Sequence, residues 1–272
     1  MRIAILQMTT GIDPTANAQA IVDAAAQAKQ GGAEMLFTPE MAGMLDRDRK
    51  RAAQKIAFEE DDVVLKAVQQ AASENSISIA IGSLPLKQHD DDRWVNRSFM
   101  IDSSGAIVAR YDKIHMFDVE LSTGETWRES SAFRAGEQVV TVDETPLGRL
   151  GLAVCYDMRF PALFEALGRA QCDVISIPAA FTVPTGRDHW HVLLRARAIE
   201  ASAFVIAAAQ VGEHEDGRNT YGHSLVVDPW GEVLLDMGGD VPGLAYCDLD
   251  LDRIAGVRGQ LPSLANRRKI AK

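Results

Sequence analysis

Gly148-Arg149-Leu150-Gly151-Leu152-Ala153-Val154-Cys155-Tyr156-Asp157-Met158-Arg159-Phe160-Pro161 decides the fold class of this 272-residue chain. Leu150–Val154 is apolar or small throughout, the pattern of a strand buried on both faces. Pro161 suits the first position of a helix over Pro161–Ala170. Strand, turn and helix in that order make a βα unit. Similar apolar runs recur at Ile3–Gln7, Met35–Thr38, Ile77–Gly82, Val174–Ile177 and Phe204–Ala208. Helical patterns separate some of them. Pro14–Gln30 ends at Gly31-Gly32, a C-cap signal. Asp62–Asn75 sets Val63, Val64, Ala67, Val68 and Ala71 on one face, and His189–Ser202 does the same with Val192, Ala196, Ile199 and Ala203. Asp102-Ser103-Ser104-Gly105 and Asp228-Pro229-Trp230-Gly231 lie between β-rich runs and read as hairpin turns. The chain therefore predicts an α/β sandwich of mixed sheets covered by helices. No repeat, linker or composition shift divides it, so one domain over residues 1–272 is expected.

Composition narrows the function classes. Apolar residues make up 47% and charged residues 24%, as in a globular protein, which excludes collagen-like, disordered and coiled-coil readings. With 28 Lys+Arg against 38 Asp+Glu, the net charge is −10. That balance argues against binding nucleic acid or docking on an anionic membrane. Cys155, Cys172 and Cys247 are too few and too scattered for a disulfide framework, and no CxxC zinc pattern occurs. The apolar run at the N-terminus turns polar at Thr9, too short for a signal or a membrane span. A cytoplasmic protein is expected.

Three reactive side chains each follow an apolar strand pattern: Glu40 after Met35–Pro39, Lys113 after Ile107–Asp112, and Cys155 after Leu150–Val154. Ligands of α/β proteins gather at the carboxyl ends of strands. Three such ends lying side by side in a sheet would converge. A carboxylate can take the thiol proton, and an ammonium can hold a developing oxyanion, so the trio suffices for covalent acyl transfer without histidine. Each residue alone also has a plain structural reading, as a buried small hydrophobe, a helix cap or a solvated lysine.

The wording around each residue is more specific. Phe37-Thr38-Pro39-Glu40, Tyr111-Asp112-Lys113-Ile114-His115-Met116-Phe117-Asp118 and Ala153-Val154-Cys155-Tyr156-Asp157-Met158-Arg159-Phe160-Pro161 resemble, in order, the three motifs of the nitrilase, or carbon–nitrogen hydrolase, superfamily. The resemblance runs from the first strand to Tyr221-Gly222-His223-Ser224 and Asp228–Glu232. It implies a four-layer α-β-β-α sandwich. It also implies an enzyme that hydrolyses a carboxamide to acid plus ammonia through a Cys155 thioester. Glu40 is then the general base and Lys113 the stabiliser of the tetrahedral intermediate. Glu129 matches a second family glutamate, with Ala135-Gly136 standing where Pro-Gly is usual. The Tyr156 backbone N–H becomes the second oxyanion donor.

Tyr156-Asp157 differs from the Trp-Glu of nitrile-hydrolysing members. The run Cys155–Pro161 resembles the Nit branch, which contains ω-amidases and deaminated glutathione amidases. Leu194–Glu200, Ala207–Gln210 and Tyr221–Ser224 look closer to the latter. An ω-amidase acting on α-ketoglutaramate or succinamate, a nitrilase, and a non-catalytic binding protein of the same fold are the alternatives. A substrate with carboxylates needs a cationic anchor. Arg159 is the candidate, unless it forms an ion pair with a carboxylate such as Glu165. Phe181–Gly186 is expected to form a pocket-side loop. Thr182 and Thr185 either bond the substrate or form local turns, and Trp190 either walls the pocket or packs. His189 and His191, two apart on a helix, cannot easily share a metal. No GxGxxG or P-loop occurs, so neither a cofactor nor a metal is expected. The family resemblance further implies at least a homodimer.

Overall fold

The computed structural model describes residues 1–122, 124 and 126–270. Its first half runs β1 (Arg2–Gln7), α1 (Pro14–Gln30), β2 (Met35–Phe37), α2 (Arg49–Lys55), α3 (Val63–Asn75), β3 (Ser78–Leu86), β4 (Val95–Ile101) and β5 (Ile107–Asp112). Short strands β6 (Asp118–Glu120) and β7 (Thr126–Arg128) pair as a hairpin before β8 (Thr141–Thr145) and β9 (Gly148–Leu152). Then come α4 (Pro161–Arg169), β10 (Val174–Ser176), α5 (Val183–Ala201) and β11 (Phe204–Ala207). The chain closes with β12 (Val211–Glu213), β13 (Asn219–Tyr221), β14 (Leu225–Val227), β15 (Val233–Asp236), β16 (Gly243–Asp248) and α6 (Asp252–Gln260).

Two six-stranded mixed sheets result, in the orders β16-β1-β2-β3-β4-β5 and β15-β14-β11-β10-β9-β8. At the heart of each, three strands run parallel: β1, β2 and β3 in one, β9, β10 and β11 in the other. The period-two alternation of strands explains the layering. In β1 and β2, Ile3, Ile5, Met35 and Phe37 face inward and pack with residues of the second sheet, such as Leu152 and Val154. Ala4, Leu6 and Leu36 face outward, under Ile21, Ala25, Val68 and Ala72 of α1 and α3. On the far side, α4 and α5 cover the second sheet through Leu163, Phe164, Leu194 and Ala198. The order is helix, sheet, sheet, helix, as the family resemblance implied.

Local signals account for most boundaries. The Asp13 side chain caps α1 by accepting from Thr15 N (3.0 Å), and Asp62 caps α3 by accepting from Leu65 N (2.7 Å). Asp102–Gly105 joins antiparallel β4 and β5, and the Asp228 turn joins β14 and β15. The strongest departure concerns α5. It begins at Val183 rather than His189, with Pro184 in its first turn, so most of the expected Phe181–Gly186 loop is helix. Its buried residues include Trp190, Leu194, Ala198 and Ala201, whereas Val192 (66% exposed) and Ile199 (44%) face outward. Both faces of this helix carry apolar groups. The bulkier one takes the core, where Trp190 Nε1 donates to His223 O at 2.8 Å. Helix α2 was not expected: Arg-Lys-Arg-Ala-Ala-Gln-Lys buries only Ala52 and forms behind an Asp48 cap. Among the described residues, no helix is long and apolar enough to cross a membrane.

Trp190 fills a site with no exposed surface. Trp190→Ala is expected to lower unfolding free energy by about 3–5 kcal/mol in urea titrations. A loss under about 1 kcal/mol would contradict this packing.

Candidate active site

The three reactive residues do converge, but not side by side in one sheet. Glu40 follows β2 and Lys113 follows β5, both in the first sheet, while Cys155 follows β9 in the second. The site therefore sits where the two sheets face each other. Local backbone makes this possible. A methyl group on Gly82 would run into the carbonyl oxygens of Thr38 and Pro39, so only glycine lets β3 pass beneath the Glu40 turn. Gly136 N donates to Lys113 O at 2.8 Å, and a side chain there would strike Asp112 O. Glycine is thus the member of the Ala135-Gly136 pair that the turn requires. Cys155 lies in the left-handed region (φ 47°), a sparsely populated conformation for any residue with a Cβ. It opens a five-residue 3₁₀ turn, Cys155–Arg159, so Tyr156 N–H lies at the start of a helical turn, where such groups lack intrahelical partners.

Lys113 is the centre of the charge arrangement. It is 2% exposed, and its Nζ donates to Glu40 Oε1 (2.8 Å) and to both Glu129 oxygens (3.0 and 2.9 Å). Asn96 Nδ2 bridges the same carboxylates, donating to Glu40 Oε1 at 3.0 Å and to Glu129 Oε1 at 3.2 Å. Ala180 N and Phe117 N bind the remaining oxygens, at 2.8 Å to Glu40 Oε2 and 2.6 Å to Glu129 Oε2. Cys155 lines the same cavity as Glu40, and the Glu40 charge acts on its thiol.

These contacts set the protonation states. Burial alone would raise the Glu40 carboxyl, but the Lys113 charge and hydrogen bonds outweigh it and hold the group below its ordinary value. Burial would strip Lys113 of its proton, yet Glu129, Glu40 and Cys155 hold it well above the ordinary lysine value. Burial and then the Glu40 charge push the Cys155 thiol well up, against the pull of Lys113. The resting site is an ionised Glu40, a charged Lys113 and a protonated thiol. Chemically, this arrangement sets a protonated thiol near a carboxylate able to take its proton.

Asp157 locks the parts together. Fully buried, it accepts from Val154 N (2.8 Å) and Tyr111 Oη (2.7 Å) through one oxygen. The other oxygen accepts from His115 N (3.0 Å) and lies 2.7 Å from His115 Nδ1. One carboxylate thus ties the Cys155 turn to the Lys113 loop across the two sheets.

A cavity of about 500 Å³ opens above this network, a size suited to a small molecule. Glu40, Lys113, Glu129, Cys155, Tyr156, Phe181, Thr182 and Thr185 all line it. Thr182 and Thr185 bond each other at 2.7 Å. Arg159 is not among its lining residues, a correction to its expected role as anchor, and of the two readings open for Trp190 it is packing that holds. Arg159 lies over the rings of Tyr156 and Phe181, with Nη1 3.2 Å from His189 Nδ1, and Glu165 pairs instead with Arg169. Trp190 stands behind Phe181, ring centroids 5.1 Å apart. Sequence reasoning missed Asn96, Asp157, Trp127 and Arg218. The first two had no signal as site residues, because their partners come from other strands. The last two lie on the short polar hairpins. Outside the cavity lining, His191 and His223 share Asp236, each at 2.9 Å, whereas His189 faces Arg159.

The family model for carbon–nitrogen hydrolase matches residues 2–259. A deaminated glutathione amidase of Synechocystis is 40% identical over 266 residues, covering 97% of each chain. The crystal structure of the Caenorhabditis elegans NitFhit protein superposes with a TM-score of 0.88 at 36% identity. That alignment covers 98% of this chain but spans only 65% of the NitFhit chain. An amidase from Nesterenkonia, solved with acrylamide added at its active-site cysteine, superposes with a TM-score of 0.80 at 29% identity, covering 96% of this chain and 98% of its own. Motifs, four-layer fold and relatives agree: the chain belongs to the carbon–nitrogen hydrolase family, within the nitrilase superfamily.

Proposed function

We propose that this enzyme is a deaminated glutathione amidase working through a Cys155 thioester. The observation that carries the mechanism is the convergence of three groups on one cavity: the Cys155 thiol, the Glu40 carboxylate whose charge acts on it, and Lys113 Nζ, 2.8 Å from that carboxylate. In the proposed sequence Glu40 takes the thiol proton as sulfur attacks the amide carbon. The oxyanion is held by Lys113 and the Tyr156 N–H. Protonated Glu40 then hands its proton to the departing nitrogen, and a thioester remains. Water, deprotonated by Glu40, releases the acid. Glu129 and Asn96 keep Lys113 and Glu40 in place between turnovers. In deaminated glutathione the scissile bond joins the keto-glutaryl head to cysteinylglycine. The leaving group is then that dipeptide's amine, and ammonia leaves only from a primary amide. The relative's name and the match over 97% of both chains support this substrate.

The free thiols Cys155, Cys172 and Cys247 support a reducing, cytoplasmic setting. A homodimer is also part of the proposal. Ile199, Trp230, Val233 and Leu234 are 37–51% exposed, and Arg195 Nε holds Gly231 O at 2.7 Å, bringing the outer face of α5 beside the Trp230 turn. An apolar patch shared by a helix and a hairpin suits a self-complementary interface.

The substrate reading is tested by following keto-acid release from deaminated glutathione and from α-ketoglutaramate, and acid release from a simple nitrile. Deaminated glutathione is expected to be the best substrate. Cys155→Ala should abolish turnover, and Glu40→Gln should cost about 10²–10⁴-fold. Faster turnover of α-ketoglutaramate would make the enzyme an ω-amidase. Inertness toward all three would favour a binding protein of this fold. The dimer is checked by light scattering on a size-exclusion column: twice the monomer mass is expected, and a monomer at micromolar concentration would refute it.

A further inference from the structure

The wall of the cavity carries a cation that the mechanism does not use. Arg218 lies in the loop between β12 and β13 and lines the cavity, its side chain only 17% exposed. Its Nη2 pairs with Asp216 Oδ2 at 3.1 Å, and its guanidinium lies 4.9 Å from the centre of the Trp127 ring. Asp216 has no exposed side-chain surface and also accepts from Arg47 N (2.9 Å) and Arg218 N (3.0 Å). The guanidinium is therefore fixed on one edge and one face. Its Nε is not satisfied: the atom is buried and has no hydrogen-bond partner among the described residues. Trp127 Nε1, on the ring beneath it, is in the same condition, and Trp127 lines the same cavity. Buried donors without partners are rare in folded proteins, and two in contact on a cavity wall mark a place where an acceptor binds.

The charges agree. The Asp216 carboxylate pairs with the Arg218 guanidinium but meets Arg47 only at its backbone N–H, so of the three charges the Arg47 and Arg218 cations outnumber the one carboxylate, and both arginines line the cavity. Glu40, Lys113 and Glu129 sum to one negative charge at the reacting end. The same cavity thus offers a thiol to an amide and a guanidinium to an anion.

We propose that Arg218, held by Asp216 and stacked on Trp127, binds a carboxylate of the substrate, with Trp127 Nε1 as a second donor. The enzyme then selects linear amides that end in a carboxylate away from the scissile bond. This rests on the amidase reading for its reaction, but not for the binding it predicts. Guanidinium suits the task because it offers parallel N–H donors to a planar carboxylate. It also replaces Arg159 as the anchor.

Calorimetry with α-ketoglutarate as the probe tests it, in the Cys155→Ala protein with and without a second change. Arg218→Gln should weaken binding at least tenfold, and Arg218→Lys should fall between, because it keeps the charge but loses the fork. In parallel, on the Cys155-containing protein, the ratio of kcat/KM for α-ketoglutaramate to that for butyramide should fall at least tenfold in Arg218→Gln, mainly through KM. Binding unchanged by Arg218→Gln would overturn the proposal. So would an equal loss on both amides, which indicates a structural role. If neither amide is hydrolysed by the unmodified protein, the amidase reading fails, and the calorimetric comparison still decides the anchor.

Discussion

Everything in the site turns on one ammonium group buried between two carboxylates. Lys113 could not stay charged at 2% exposure without Glu40 and Glu129 within 3.0 Å, and the Glu40 carboxylate could not stay ionised there without it. Buried ion pairs add little net stability, yet breaking one costs about 3–5 kcal/mol, because a charge is left without compensation. The arrangement is therefore all-or-none. It is also functional in form. Burial first and then the Glu40 charge keep the neighbouring thiol protonated, so the site rests as a thiol beside an ionised carboxylate.

The fold exists to hold that network across a seam. Sheet one contributes Glu40, Asn96 and Lys113, and sheet two contributes Cys155 and the Ala180 N–H. Packing of Ile5, Phe37, Leu152 and Val154 fixes the sheets face to face. Hydrophobic contact alone is not directional enough to place a thiol beside a carboxylate. Asp157 supplies the direction by accepting from both the Cys155 turn and the Lys113 loop. The strained backbone at Cys155 is tolerated because its N–H is anchored on Pro178 O at 2.8 Å.

Much of this was legible in the chain. The apolar run before Cys155 and the proline after it marked a βα unit, and three motifs in order identified the family and its reactive trio. Lys113 and Cys155 are 42 residues apart, and no spacing rule reveals that they meet across two sheets rather than along one. Asn96 carried no signal as a site residue, because its place beside Glu40 and Glu129 depends on the register of β4 against β5. Helix α5 misled for a different reason: apolar residues occur on both its faces, so periodicity alone could not decide between Trp190 and Val192. Arg218 was hidden in a charged loop whose burial only the tertiary structure reveals.

The resting protonation states govern how the site reacts, and the pH dependence of kcat/KM reads them out. This profile reports the free enzyme. Glu40 acts when deprotonated, and its pKa lies below the ordinary 4.5, so activity should fall only as the pH drops beneath that value. The thiol pKa lies above 9.0 and the ammonium above 10.5, so neither adds a limb near neutrality. The predicted profile is flat from about pH 5.5 to about pH 8.5, with an acid limb that Glu40→Gln removes. A profile that rises with a midpoint between about pH 7 and about pH 9 would mean that a pre-formed thiolate is the reacting species, and would contradict the account.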